Sequence, residues 1–208
     1  MLDHLRVAVV AIDTKPGELV NNLRKIELGV SRAQAEGAQL VLFPELSLSG
    51  FIPNHRLKDH EAWLRCALVE TRRYALRLDS PPIHELQAIA ARHQVLLSVG
   101  MFEDAGNVLH NTQLLVGSEG LLGSWRKMHV PMFEMPFYNG GSAPTVVQTP
   151  LGSIGINICF DVFLPDSTRL LAVQNVEIVL MPFAAHPSPG TAEAWANWAA
   201  PAIHAPCC

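Results

Sequence analysis

The sequence is poor in charge, in aromatic side chains and in cysteine: of its 208 residues 16% are charged, 7% are aromatic and four are Cys. Such charge as it has is not positive. Lys and Arg number 15 against 19 Asp and Glu, a net charge of −4, so no basic surface is expected to grip phosphates. Nucleic acid and anionic membrane are therefore not the partners to look for. No apolar run approaches the roughly 20 residues that a membrane-spanning helix needs. Residues 1–10 reach their apolar run too soon, and meet the polar stretch at 13–15 too early, to read as a secretion signal. Cys66 and Cys159 have neither metal-like nor disulfide-like spacing, and Cys207 and Cys208 are adjacent. That usage fits reduced thiols in the cytoplasm. There is no internal repeat, low-complexity tract or linker, so residues 1–208 are expected to make one domain.

What is present is an apolar chain, 49% hydrophobic, arranged in short runs. Residues 5–12 (LRVAVVAI) are almost continuously apolar, the pattern of a strand buried on both faces. In 18–36 apolar residues recur at Leu19, Val20, Leu23, Ile26 and Val30, which predicts a helix ending near Gly37. Residues 40–43 read as a second buried strand stopped by Pro44. A helix is expected over 61–78, and another after Ser80-Pro81-Pro82, because proline is tolerated in the first helical turn. Strands follow at 95–101 and 108–116. The turn at Gly117–Gly120 leads into a strand at 121–125. A hairpin then joins 145–148 to 154–160, a helix is expected over 165–173 and a last buried strand over 177–182. Early alternation of strand and helix, with hairpins in the middle, predicts a layered α/β protein with mixed sheets.

Three reactive side chains lie just beyond apolar runs. Ile154, Ile156, Ile158 and Phe160 alternate with Gly155, Asn157 and Cys159, which turns Cys159 away from the apolar face. A nucleophile on a strand-to-helix turn is accessible, and nearby backbone N–H groups can receive an oxyanion; a helix N-terminus also favours thiolate. A plain buried core thiol explains the position equally well. Glu45 ends the run 40–44, where a carboxylate is costly unless exposed, paired or functional. Lys127 follows 121–126, and an ammonium in a partly dry site can stabilise an oxyanion and favour a nearby thiolate. An exposed turn carboxylate and a solvated lysine are the bland readings of these two.

The segment Phe43-Pro44-Glu45-Leu46-Ser47-Leu48-Ser49-Gly50-Phe51 resembles the glutamate motif of the nitrilase superfamily, the carbon–nitrogen hydrolases. Trp125-Arg126-Lys127-Met128-His129-Val130 is similar to its lysine motif, usually written Tyr-Arg-Lys-x-His-Leu. Gly155-Ile156-Asn157-Ile158-Cys159-Phe160-Asp161-Val162-Phe163-Leu164-Pro165-Asp166 is similar to its cysteine motif. The likeness runs from the first strand through Met181-Pro182-Phe183-Ala184. Trp125 stands for the common Tyr, Phe163 for a frequent Arg and Asp166 for the usual Glu. The resemblance implies an αββα sandwich of two stacked mixed sheets with outer helices. It also implies Glu45 as general base, Cys159 as nucleophile and Lys127 as stabiliser of the tetrahedral intermediate, with no metal and no organic cofactor. The backbone N–H of Phe160 would assist at the oxyanion, and Glu134 would orient the substrate or Lys127. His129 is expected to be a structural hydrogen-bonding residue.

The implied reaction is hydrolysis of a non-peptide carbon–nitrogen bond in a small amide or N-carbamoyl compound through a cysteine thioester, releasing ammonia or an amine. A nitrile is the alternative substrate class, and a catalytically inert fragment or interaction module of the same fold the alternative function. A conventional Cys–His dyad is a weaker reading, since spacing singles out no histidine. Specificity loops are expected at 52–60 and 132–141. Beyond Ala184 the chain carries Trp195 and Trp198 and ends Ile203-His204-Ala205-Pro206-Cys207-Cys208, unlike the family's usual continuation. The expectation is a truncated or frameshifted member lacking the last part of one sheet and its covering helix. A homodimer or higher homo-oligomer is expected for a chain with a complete C-terminus.

Overall fold

A computed structural model describes residues 4–51 and 60–184. Strand β1 (Val7–Val9) leads through helix α1 (Leu19–Ala35) to β2 (Leu40–Leu42), followed by α2 (His60–Tyr74) and α3 (Pro81–His93). The middle of the chain is strand: β3 (Leu96–Asp104), β4 (Leu109–Gly117), β5 (Gly120–Arg126), β6 (Val146–Thr149) and β7 (Gly152–Ile156). A 3₁₀ turn at Cys159–Phe163, helix α4 (Pro165–Ala172) and β8 (Ile178–Leu180) complete the described elements.

The strands form two mixed sheets. One has the order β1-β2-β3-β4-β5, the other β6-β7-β8. In the first, β1, β2 and β3 run parallel, with Val7 opposite Leu40 and Leu40 opposite Leu96, and the hairpins to β4 and β5 are antiparallel. In the second, β6 and β7 form a hairpin and β8 lies parallel to β7. Ile26 and Val30 of α1 and Ile83, Leu86 and Ile89 of α3 pack on one face of the larger sheet, against Val41, Val99 and Leu114. Its other face supplies Leu40, Leu42, Leu115 and Trp125 to a core shared with Ile154, Ile156 and Leu180 of the smaller sheet. Leu171 of α4 lies against Gly155 on the outer side of β7. The order is helices, sheet, sheet, helix: the αββα sandwich expected of the motifs.

Four local expectations are corrected. The run 5–12 does not make a strand buried on both faces. Ala8, Val10 and Ile12 pack beneath α1, but Val9 is 78% exposed, because β1 is an edge strand and the described inter-sheet core reaches only as far as β2. The helix predicted to reach 78 stops at Tyr74, where the chain turns to pair with β3: Leu76 N–H donates to Phe102 O and Asp104 N–H to Leu76 O. The last strand is only partly buried, Ile178 and Val179 being half-exposed. The fourth concerns the strand leading to Cys159. It ends at Ile156, so Cys159 lies in the 3₁₀ turn, and Phe160, assigned by alternation to the apolar face, is 37% exposed. The features noted at 52–59 and 185–208 lie outside the described residues. Among the described residues no helix is long and apolar enough to cross a membrane.

Candidate active site

Each of the three residues is delivered by a different break in the sheets. Pro44 cannot donate to a ladder, so β2 ends and the chain turns through Glu45 and Leu46, the latter in the left-handed region at φ 54°. The turn docks on β3. Leu48 N–H donates to Gly100 O at 2.8 Å, while the Ser47 and Ser49 hydroxyls accept Gly100 N–H and Phe102 N–H at 3.3 and 3.0 Å. The approach is close enough to require glycine: a Cβ on Gly100 would sit 2.3 Å from Leu46 N. Lys127 follows β5 directly, its N–H on Asn111 O and its carbonyl on Gly141 N–H, both at 2.8 Å. Cys159 opens the 3₁₀ turn at φ 47°, an uncommon conformation for a residue with a side chain. Its N–H is held by Pro182 O at 2.9 Å.

These turns bring the side chains together. Lys127, with no exposed surface, places Nζ 2.8 Å from Glu45 Oε1 and 2.8 Å from Glu134 Oε2. Glu45 Oε1 also accepts Asn111 Nδ2 at 2.6 Å, and Oε2 accepts Ala184 N–H at 3.0 Å. The Cys159 thiol lies close enough for the charges of Glu45, Lys127 and Glu134 all to act on it. An ammonium and two carboxylates out of water cost several kcal/mol each unless paired and fully hydrogen-bonded, and this arrangement supplies the pairing.

The electrostatics follow from burial and from the excess of acids. Burial works against the charge of Lys127, but Glu45, Cys159 and Glu134 outweigh it and its pKa is raised, so it is a permanent cation. Burial first, and then the Glu45 charge, push the Cys159 thiol up, more than Lys127 pulls it down. These influences favour the thiol over the thiolate, whereas the sequence alone suggested that Lys127 and a helix N-terminus would favour thiolate. Burial also raises Glu134, with Lys127 opposing.

Glu134 is brought to Lys127 by a compact turn in which Glu134 N–H and Met135 N–H both donate to Pro131 O. Its neighbours Met132, Phe133 and Met135 face outward while the carboxylate is buried. Two further members of the cluster were not singled out from the sequence. Asn111 holds Glu45, and Tyr138, whose hydroxyl donates to Glu134, is also within 3.3 Å of Asn111 Nδ2. A signal existed for the first. Asn111 lies in His110-Asn111-Thr112-Gln113, four polar residues inside a strand that is buried at every position, which demands partners for each. Phe160 contributes a backbone N–H one residue beyond the thiol; its ring stacks edge-on to Phe163, which meets Phe183 in the same way. Among the described residues no group of three or more His, Cys, Asp or Glu could hold a metal ion.

A sequence comparison matches residues 6–205 to the family described as "Carbon-nitrogen hydrolase". The chain is 29% identical over 189 residues to a citrullinase of Francisella tularensis, covering 87% of this chain and 62% of that protein. It is 30% identical over 179 residues to a nitrilase of Pyrococcus abyssi, covering 86% and 64%. The chain thus spans less than two thirds of the length of both relatives. In three dimensions it is similar to an amidase from Nesterenkonia sp., with a TM-score of 0.72 and 24% identity over 91% of this chain and 68% of that one.

Proposed function

Because this chain belongs to the carbon-nitrogen hydrolase family, we propose that it hydrolyses the carbon–nitrogen bond of a small amide or N-carbamoyl compound, with Cys159 as nucleophile, Glu45 as general base and Lys127 as electrostatic stabiliser. One observation carries this reading: a buried Lys127 Nζ bonded to both Glu45 and Glu134, with the Cys159 thiol within reach of the charges of all three. A structural ion pair has no need of a thiol, and a structural thiol has no need of a base.

Sulfur attacks the substrate carbonyl carbon as its proton passes to Glu45, so thiolate forms only as the new bond does. The carbonyl oxygen becomes an oxyanion received by Lys127 Nζ and the Phe160 N–H; a single such donor is worth about 10²–10³ in rate. As the intermediate collapses, the carbon–nitrogen bond breaks and the leaving nitrogen takes the proton from Glu45. Water then attacks the thioester, giving its proton to Glu45, and the thiol is restored as the acid departs. Glu134 keeps the ammonium from following Glu45 as that carboxylate changes charge. A nitrile is the second substrate class, favoured by the likeness to the Pyrococcus abyssi nitrilase.

The test is ammonia release from a panel of short amides, N-carbamoyl amino acids and nitriles, with Cys159→Ala as control. Release by the unaltered chain and none by the folded variant is the expected result. A folded chain that turns over no member of the panel would instead be an inert member of the fold.

A further inference from the structure

We propose that Asp161 is a positioning residue of this site: its buried carboxylate clamps the backbone that carries Lys127 to the backbone that carries Cys159. The proposal rests on the reading of Glu45, Lys127 and Cys159 as the catalytic set. Those residues come from two different sheets, Lys127 from the end of β5 and Cys159 from the turn after β7, so their relative position depends on bonds between the two. Asp161 supplies such bonds next to both.

Asp161 is 2% exposed and takes four donors on two oxygens. Oδ1 accepts His129 N–H at 2.8 Å and lies 3.0 Å from His129 Nδ1. Oδ2 accepts Met128 N–H at 3.3 Å and Ile158 N–H at 3.2 Å. Met128 is the residue after Lys127, and Ile158 is the residue before Cys159. A single oxygen therefore bonds amides on the flanks of both functional side chains. The clamp is braced from a third element, since the Ser167 hydroxyl in the first turn of α4 is 3.2 Å from the same His129 Nδ1. Independently of the carboxylate, the Asp161 N–H donates back to Ile158 O at 3.0 Å and braces the left-handed Cys159; such a conformation persists only where its surroundings over-determine it. Burying a carboxylate is costly unless it is fully hydrogen-bonded, and a fold that needed only to fill this space has cheaper residues for it. What the carboxylate supplies is convergence. A displacement of 1 Å in an active site costs about 10²-fold in rate, the scale of movement that the clamp prevents.

Two variants separate position from charge. Asp161→Asn keeps the shape but puts an NH₂ where N–H groups already converge; Asp161→Glu keeps the charge but moves it by one methylene. In both, kcat on the best substrate of the amide panel should fall about 10- to 100-fold with KM within about threefold. The pH midpoint of Cys159 alkylation, followed by peptide mapping, should move in both from its elevated position toward the ordinary thiol range. A KM change alone overturns the proposal, as does wild-type kcat in either variant; loss in Asp161→Asn only would make the effect electrostatic. Should neither variant fold, His129→Ala, whose side chain is 38% exposed, removes one donor and the brace. It should give the same split at about three- to tenfold, and an unchanged kcat there also overturns it. If the unaltered chain releases no ammonia from any substrate, the catalytic reading fails, while the alkylation midpoint still decides the role of Asp161.

Discussion

Lys127 is the residue on which the charge balance of the site turns. It is the one cation among Glu45, Glu134 and the Cys159 thiol, and it has no exposed surface. Lys127→Met removes the proposed oxyanion partner and leaves two carboxylates buried without their counter-ion. Breaking a buried pair from one side costs about 3–5 kcal/mol, so urea unfolding should show a loss of that size and ammonia release should vanish. The double variant Lys127→Met/Glu134→Gln should recover part of the stability and none of the activity. If stability is unchanged in the single variant, the pairing is not what holds these groups in the core. The same balance explains the turn around Glu134. Local pattern would bury Met132, Phe133 and Met135 and expose the carboxylate, yet the reverse occurs, because an ammonium enclosed in protein needs a second acceptor more than those side chains need burial. Hydrophobic pattern alone does not carry that information; it comes from the place of Glu134 after the lysine motif, seven positions from Lys127, and from the enclosing sheet.

Among the elements, the shortness of β2 matters most. Three residues of β2 pair with β3 before Pro44 ends the ladder, and the Glu45 turn then takes over the edge of β3 that β2 leaves unpaired, through Ser47, Leu48 and Ser49. Gly100 is what permits the contact, since any Cβ there would press on Leu46 N and on the Glu45 carbonyl carbon, 2.3 and 3.0 Å away. Gly100→Ala should therefore push Glu45 off its partners. Overpacking of this kind costs about 1–3 kcal/mol, and displacing Glu45, the proposed base, should lower kcat by more than about tenfold. Normal kcat in that variant would mean that the turn can retreat without carrying the carboxylate with it. The helices were the most legible elements: α1 and α3 follow the apolar period and the Ser80-Pro81-Pro82 start closely. Strand ends were the least legible. Alternation continues past Ile156 to Phe160 in the sequence, but the ladder stops where Asp161 draws the chain into a 3₁₀ turn.

For the molecule as a whole, acid stability is set by carboxylates that pull in opposite directions. Burial works against the charge of Glu103, but Arg126, which bonds both its oxygens at 2.6 and 2.8 Å, and Thr112 outweigh it and hold its pKa below the ordinary range. A depressed pKa stabilises the fold above the unfolded value, about pH 4.3, and that contribution is lost as pH falls through the folded value. Glu134 and Asp161, raised mainly by burial, have the opposite sign: their contribution is full below the unfolded value and declines as pH rises through the folded one. Glu103→Gln isolates the first effect, since the others cancel in the difference. Discounted for the partly exposed guanidinium, the variant should be less stable by about 1–2 kcal/mol at pH 7. The gap should close near pH 3, measured as unfolding midpoints across pH. A gap that persists in acid would assign the loss to packing instead.

The sequence by itself determined the alternation of buried strands and amphipathic helices and the local identity of Glu45, Lys127 and Cys159. Both are written in short windows, the first as hydrophobic period and the second as motif. Only the tertiary structure decided how the three meet around one buried ammonium, and that Asn111, Tyr138 and Asp161 hold them there, while the place of Glu134 beside Lys127 was already implied by the resemblance. These contacts join positions 82 residues apart for Lys127 and Glu45 and 139 apart for Ala184 and Glu45. At such separations no sequence period acts. The need to pair every charge taken out of water selects the partners, and it acts only once the two sheets have closed on each other.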